Sequence, residues 1–268
     1  MTAALWQAAR AEWGKLWSVR STWWCLAGAA ALMVLTAVAL AAAAATDAVR
    51  EGVREGVPGA RVTASESVVS ATSFVQFALV ALAMLAITSE YSSGGIRVTL
   101  QATPVRGLVL AAKALVVAPV MFAAGALSGA VATAAVYVVL QADAFGGLVA
   151  LPFGEAVRDV TGAGVFFALV AVTTLGAGAA MRSAAGTLTV VFMLLLGLPL
   201  VLLMTGSQAA LDASLRMPTF AGLAFMGSVD NLTGGPVPYS AGEGLAWLLA
   251  WAAAALAAGY AVLRRRDA

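Results

Sequence analysis

Read from the N-terminus, the chain alternates long apolar runs with short polar ones. Six runs approach or exceed the roughly 20 residues that a helix needs to cross about 30 Å of hydrocarbon. They are Trp23–Ala45, Val68–Thr88, Ala114–Leu140, Val160–Ala180, Thr187–Gly206 and Gly244–Leu263. The pattern predicts an all-α integral membrane fold: one transmembrane domain over residues 1–268, with six transmembrane helices. An even number of spans puts both termini on the same side.

The segments between the runs carry their own patterns. In residues 1–22, Trp6, Ala9, Trp13, Leu16 and Trp17 fall on one helical face, while Gln7, Arg10 and Lys15 fall largely elsewhere. This predicts an interfacial helix, with tryptophans at headgroup depth and basic groups toward anionic lipid. The plainer reading is a short soluble helix beside a span. The first outer loop repeats "VREG" at Val49–Gly52 and Val53–Gly56, too short for a repeat architecture, and reads as a solvated helical turn with surface charge pairs. Residues 207–243 are too long for a hairpin, and "FAGLAFMG" is too apolar for a solvated loop. Short re-entrant helices dipping into the outer leaflet account for both, provided that protein or a wet cavity covers their backbone. Within the spans, "GALSG" (Gly125 to Gly129) and Gly176 with Gly178 permit close helix approach. Gly197 and Pro199 predict a bend in the fifth span, because proline lacks the donor that the preceding turn needs.

One polar segment is more organised than a connector requires. Residues 89–113 begin "SEYSSGGIRVTLQATPVRG", with a charged start at Glu90, a Gly94–Gly95 pair, and a stop at Pro104. At the centre Ile96, Val98 and Leu100 alternate with Arg97, Thr99 and Gln101. These are the parts of a short element lying parallel to the membrane and offered to a soluble partner. The plainer reading is a basic loop in which Glu90 pairs with Arg97 or Arg106.

Composition agrees with the spans. Only 10% of the 268 residues are charged and 62% are hydrophobic, whereas a soluble domain carries roughly 25% charged residues. The single cysteine, Cys25, excludes an internal disulfide, and the absence of histidine excludes histidine metal sites, histidine-based triads and histidine proton relays.

Charge sets the sidedness. With the N-terminus inside, the inner segments hold ten Arg and Lys residues (Arg10, Lys15, Arg20, Arg97, Arg106, Lys113, Arg182, Arg264, Arg265 and Arg266). The outer ones hold five (Arg50, Arg54, Arg61, Arg158 and Arg216). The positive-inside rule then makes both termini cytoplasmic. "AAAAATDA" at the end of the first span has the small residues of a signal-peptide cleavage site, but the long lead and long apolar core argue for a retained span.

The chemistry available inside the spans is sparse. Almost no ionisable side chain lies at membrane depth, where proton-coupled carriers and ion channels place theirs. The polar candidates for a substrate pathway are Ser73, Gln76, Thr133, Tyr137 and Thr173, with Thr72 and Thr174 beside them. The same side chains can instead serve as helix–helix or backbone hydrogen bonds. No G-x-x-x-x-G-K-[ST] phosphate loop exists: Lys15 is followed by Leu16, and Lys113 is preceded by Ala112. The chain is therefore not an ATPase, and no catalytic, metal or cofactor site is expected in it.

Two segments carry a resemblance. "EWGKLWSVRSTWW" (Glu12 to Trp24) resembles the E-W-x-K-L-x-S-x-R-S-T-W-W opening of actinobacterial ABC-2 type transporter permeases. "SEYSSGGIRVTLQATPVRGLVLAAKAL" (Ser89 to Leu115) resembles their S-E-Y-x-x-G-T-I-R-x-T-L-x-x-x-P-x-R-x-x-x-x-x-A-K loop. Gly95 stands where the family has threonine. The six-span plan and the long outer segment before the last span are similar too. The resemblance implies the membrane-spanning permease subunit of an ABC exporter in a bacterial plasma membrane, moving an apolar or amphiphilic substrate outward. It implies a cytoplasmic coupling helix between spans two and three that docks on a separate ATPase subunit, which would hold ATP and Mg. By motif position Glu90, Gly94, Ile96, Arg97, Leu100, Pro104 and Arg106 would carry that contact. The other implied partners are a second copy or a related permease and membrane lipid, with no nucleic acid. The alternatives are a non-transporting membrane scaffold and an ATP-independent secondary carrier. An intramembrane hydrolase lacks an acid/base or nucleophile pair on adjacent span faces.

Overall fold

The computed structural model describes residues 2–55, 62–103, 105–142, 149–227, 229–230, 235–236 and 238–265. In chain order its elements are α1 (Thr2–Ser18), α2 (Arg20–Glu55), β1 (Val62–Thr63), α3 (Glu66–Ser92), α4 (Gly95–Ala102), α5 (Arg106–Leu140), β2 (Val149–Ala150) and α6 (Phe153–Met181). There follow α7 (Ala184–Phe192), a π-helical turn (Met193–Gly197), α8 (Leu198–Met204), α9 (Gln208–Leu215), α10 (Pro218–Met226), β3 (Val229–Asp230), β4 (Gly235–Pro236) and α11 (Ala241–Arg265). Among the described residues six helices are long and apolar enough to cross a membrane: α2, α3, α5, α6, the α7–α8 unit and α11. Helix is the form such runs must take, because hydrocarbon offers no partner to an unpaired backbone group.

Helix α2 has 36 residues, a length of about 54 Å. It outruns the hydrocarbon, so the "VREG" residues up to Glu55 form its polar last turns, where Arg50 lies 3.5 Å from Asp47. The two-residue ladders were not expected in an all-α chain. β1 pairs in parallel with β2, tying the α2–α3 connector to the α5–α6 connector, and β3 pairs antiparallel with β4.

Small residues set the spacing of the bundle. A Cβ on Gly125 of α5 would lie 2.5 Å from the Phe167 ring of α6, and one on Gly164 would lie 2.9 Å from Phe122. On the other side of α6, a Cβ on Gly176 would overlap the Ala255 backbone of α11, and one on Gly259 would lie 2.6 Å from the Gly176 carbonyl. α6 is thus the helix against which α5 and α11 close, and its buried face includes Phe166, Phe167, Val170 and Leu175. Gly178 closes on Ile87 of α3, whereas Gly129 makes only ordinary contact.

Helix α1 departs from the expected face. Ala9 and Leu16 are buried, but the residue completing their stripe is Glu12, and Trp6 and Trp13 face away from the protein. The 9–12–16 spacing is one helical stripe, and it packs toward α5. The tryptophans form a separate edge: Trp17 meets Trp13 edge-on at 5.5 Å and Trp23 at 4.8 Å. α1 ends where the hydroxyls of Ser18 and Thr22 donate to the carbonyls of Lys15 and Leu16.

The connectors collect at two ends. One end joins α1, α4, the start of α5, the α6–α7 turn and the last turn of α11, since Arg106 and Arg182 donate to the carbonyls of Leu263 and Val262. Cations there complement the α11 dipole. The other end holds β1–β2, the buried hydrogen bond from Ser65 to Asp159 (2.6 Å), and the end of α10, where Met226 and Gly227 share a pocket with Thr63 and Glu66. α10 is buried along nearly its whole length.

Candidate functional site

The connector from α3 to α4 is built by its own residues. The α3 helix ends at Ser92, where the Ser93 hydroxyl donates to the Ser89 carbonyl (2.8 Å). Gly94 then takes φ 72°, a left-handed conformation that side-chain-bearing residues avoid. The chain re-enters helix at Gly95, and α4 stops at Ala102, with Thr103 (φ −132°, ψ 85°) outside the helical region that a following proline disfavours. Pro104 itself lies outside the described residues.

Beneath α4 lies an ion cluster in which Lys113, Glu12 and Glu90 are largely buried and Lys15 closes the exposed rim. The Lys113 side chain is 1% exposed. Its ammonium donates to Glu12 Oε2 at 2.6 Å, to Glu90 Oε1 at 2.8 Å and to the Ala86 carbonyl at 3.0 Å. Those three bonds use all its donors. Lys15 donates to Glu12 Oε1 (2.7 Å), to Glu90 Oε1 (2.9 Å) and to the Thr99 hydroxyl (3.3 Å). Two carboxylates and two ammonium groups sum to zero formal charge, and mutual hydrogen bonding is what makes burying them tolerable. The cluster joins four helices: α1 through Glu12 and Lys15, α3 through Glu90, α4 through Thr99 and α5 through Lys113.

The expected partners of Glu90 are therefore corrected. Glu90 pairs with Lys113 and Lys15, not with Arg97 or Arg106, because α5 and α1 bring lysines to the end of α3. Lys15 donates into this cluster from its rim, with its side chain 47% exposed. Burial works to lower the Lys15 pKa, but hydrogen bonds and charge from Glu12 and Glu90 outweigh it and hold the ammonium above the ordinary lysine value.

Two faces of α4 result. Ile96 is 4% exposed and packs inward, and Leu100 is half-buried. Arg97 and Gln101 lie on the exposed side with Val98, a large apolar residue 68% exposed. A groove of about 190 Å³ runs between α1, α4 and α5, lined by Ala8, Ala11, Val98, Ala102 and Val109, with Glu12 and Lys15 beside them. On the opposite side of the cluster a cleft of about 230 Å³ reaches Val19, Ser21, Leu85 and Ser89.

The polar candidates within the spans are not brought together. Thr133, Thr173, Thr72 and Thr174 donate to carbonyls of their own helices, and the Gln76 amide donates to the Ser73 carbonyl. Tyr137 is half-buried, as is Ser73, and none of the five pathway candidates lines the clefts above. Only Gln76 reaches another element, with Oε1 lying 3.3 Å from the Thr219 hydroxyl. Among the described residues no group of three or more His, Cys, Asp or Glu is placed to hold a metal ion.

Glu12 and Lys113 were not singled out as site residues by pattern. The signal was present, because the chain has 2 lysines among 15 basic residues and both lie in this cluster. All four cluster residues are also fixed letters of the two quoted motifs. No family model matches the chain, and no curated protein matches it.

Proposed function

We propose that the chain is the membrane-spanning permease subunit of an ATP-binding-cassette exporter. It moves an apolar or amphiphilic substrate out of the cytoplasm of a bacterial cell, and a separate subunit carrying ATP and Mg supplies the energy. The observation that carries this reading is α4, a short amphipathic helix between two spans, anchored from below by four charged side chains and exposing Val98 and Arg97. A simple connector needs neither the anchor nor an exposed apolar residue. An element that receives force from a soluble subunit needs both, because a push on α4 must move α1, α3 and α5 instead of bending a loop.

In this reading the basic end is cytoplasmic. Arg97, Val98 and Gln101 face the ATPase, with Arg106 nearby. Glu90, Gly94, Ile96 and Leu100 act from beneath: Ile96 and Leu100 hold α4 to the bundle, Gly94 supplies the left-handed turn, and Glu90 ties it to the lysines. A second permease copy, or a related one, completes the transport path.

The test is purification in mild detergent, with the co-purifying ATPase quantified for wild type, Arg97→Glu and Val98→Asp. Both substitutions leave the buried cluster intact, so membrane insertion should be normal. Loss of the ATPase and of export supports the reading. Retention of both in each variant removes α4 as the contact.

A further inference from the structure

Span five is broken at a defined place. α7 gives way to the π-helical turn Met193–Gly197, and α8 resumes with Pro199 in its first turn. The Leu195 carbonyl stands four residues before Pro199, which has no N–H to give it. The Thr219 hydroxyl of α10 lies 2.6 Å from that carbonyl and 3.3 Å from Gln76 Oε1. A hydroxyl has one proton, and the nearer acceptor takes it. One helix earlier, the buried Ser214 hydroxyl of α9 donates to the Pro199 carbonyl itself (3.0 Å). The α9–α10 turn is tied in its own right to the last span and the residues leading into it: Trp251 of α11 donates to the Arg216 carbonyl, and Tyr239, two residues before α11, donates to the Leu215 carbonyl.

We propose that span five is a hinged helix, with its hinge at Met193–Pro199, and that α9–α10 is the latch that holds it closed. The Thr219 hydroxyl replaces the donor that Pro199 removes, so the hinge is stable only while α10 stays docked. Swinging α8 relative to α7 breaks the Thr219 and Ser214 bonds together, and their donors are anchored to the last span. Single π turns inside α-helices recur at functional sites and are among the places where helices kink. The inference concerns this chain's own mechanics and does not depend on the exporter reading.

The test uses the full chain in nanodiscs, on a Cys25→Ala background. Spin labels at Leu188 and Met204, both exposed, bracket the hinge. Thr219→Val should shift and broaden the 188–204 distance distribution, and Thr219→Ser should restore the wild-type one. Pro199→Ala returns an N–H to the turn, so Thr219→Val in that background should have little effect. If Thr219→Val alone fails to insert, insertion of the Pro199→Ala/Thr219→Val pair supports the latch. Failure of both variants assigns Thr219 to packing and overturns it. An unchanged distribution in Thr219→Val, or equal broadening with and without Pro199, also overturns it.

Discussion

Lys113 shows how a single side chain can hold three helices together. Its ammonium is enclosed by two carboxylates and a carbonyl, so removing it leaves Glu12 and Glu90 to share Lys15 alone. Breaking such a buried pair costs on the order of 3–5 kcal/mol. Lys113→Met should therefore lower the thermal midpoint of the detergent-solubilised protein sharply. Adding Glu12→Gln, which returns the cluster to neutrality, should recover part of the loss, and strict additivity of the two losses would contradict the cluster. The raised Lys15 pKa gives a second prediction. A basic group raised in the folded state contributes stability that is fully present below the ordinary lysine value of 10.5 and is lost as pH rises through the higher folded value. The mobility of a spin label at Arg10 should stay flat from neutral pH up to that value and rise only beyond it. Release of α1 near neutrality would show that Lys15 does not hold it. Glu12 and Lys113 escaped pattern reading because the two are 101 residues apart. Helical periodicity reports only neighbours within a turn or two, and an acid in an apolar stripe looks like an interruption until its cation is known.

At the scale of elements, the spans were legible because the length of an apolar run is a direct consequence of bilayer thickness. The short helix α4 was legible from its glycine pair and proline stop, and Gly197 with Pro199 marked the place in span five where the helix takes a π-helical turn. The facing of α1 was not legible. The pattern grouped Ala9 and Leu16 with the tryptophans on one lipid-directed face, yet Ala9 and Leu16 are buried together with Glu12 while Trp6 and Trp13 stay exposed. What decides the facing is the ion cluster, which belongs to tertiary structure. The two-residue ladders were likewise beyond reach, since they join connectors far apart in sequence. Close helix approach can be tested at Gly176. A side chain there meets the Ala255 backbone, which cannot rotate away, and overpacking costs about 1–3 kcal/mol or more. Gly176→Leu should separate α6 from α11 and lower the thermal midpoint, whereas Gly129→Ala, where only ordinary contacts await, should leave it nearly unchanged. Equal effects at the two positions would mean that α6 and α11 do not meet through bare backbone.

In the whole molecule, the basic residues at the ends of α1, α5 and α11 share one end, and the segments Glu12–Trp24 and Ser89–Leu115 meet there, through Glu12 and Lys15 on one side and Glu90 and Lys113 on the other. Neither segment's pattern discloses that meeting; it follows only when α1 lies across α3 and α5. The central claim is that this end is cytoplasmic and that α4 receives an ATPase. The most direct measurement uses Val98→Cys on a Cys25→Ala background, because position 98 is exposed and outside the buried cluster. In intact cells a membrane-permeant bifunctional crosslinker should join the introduced thiol to an ATPase subunit, while an impermeant thiol reagent added outside should leave it unlabelled. Labelling from outside, or crosslinks that contain no ATPase, would contradict the account.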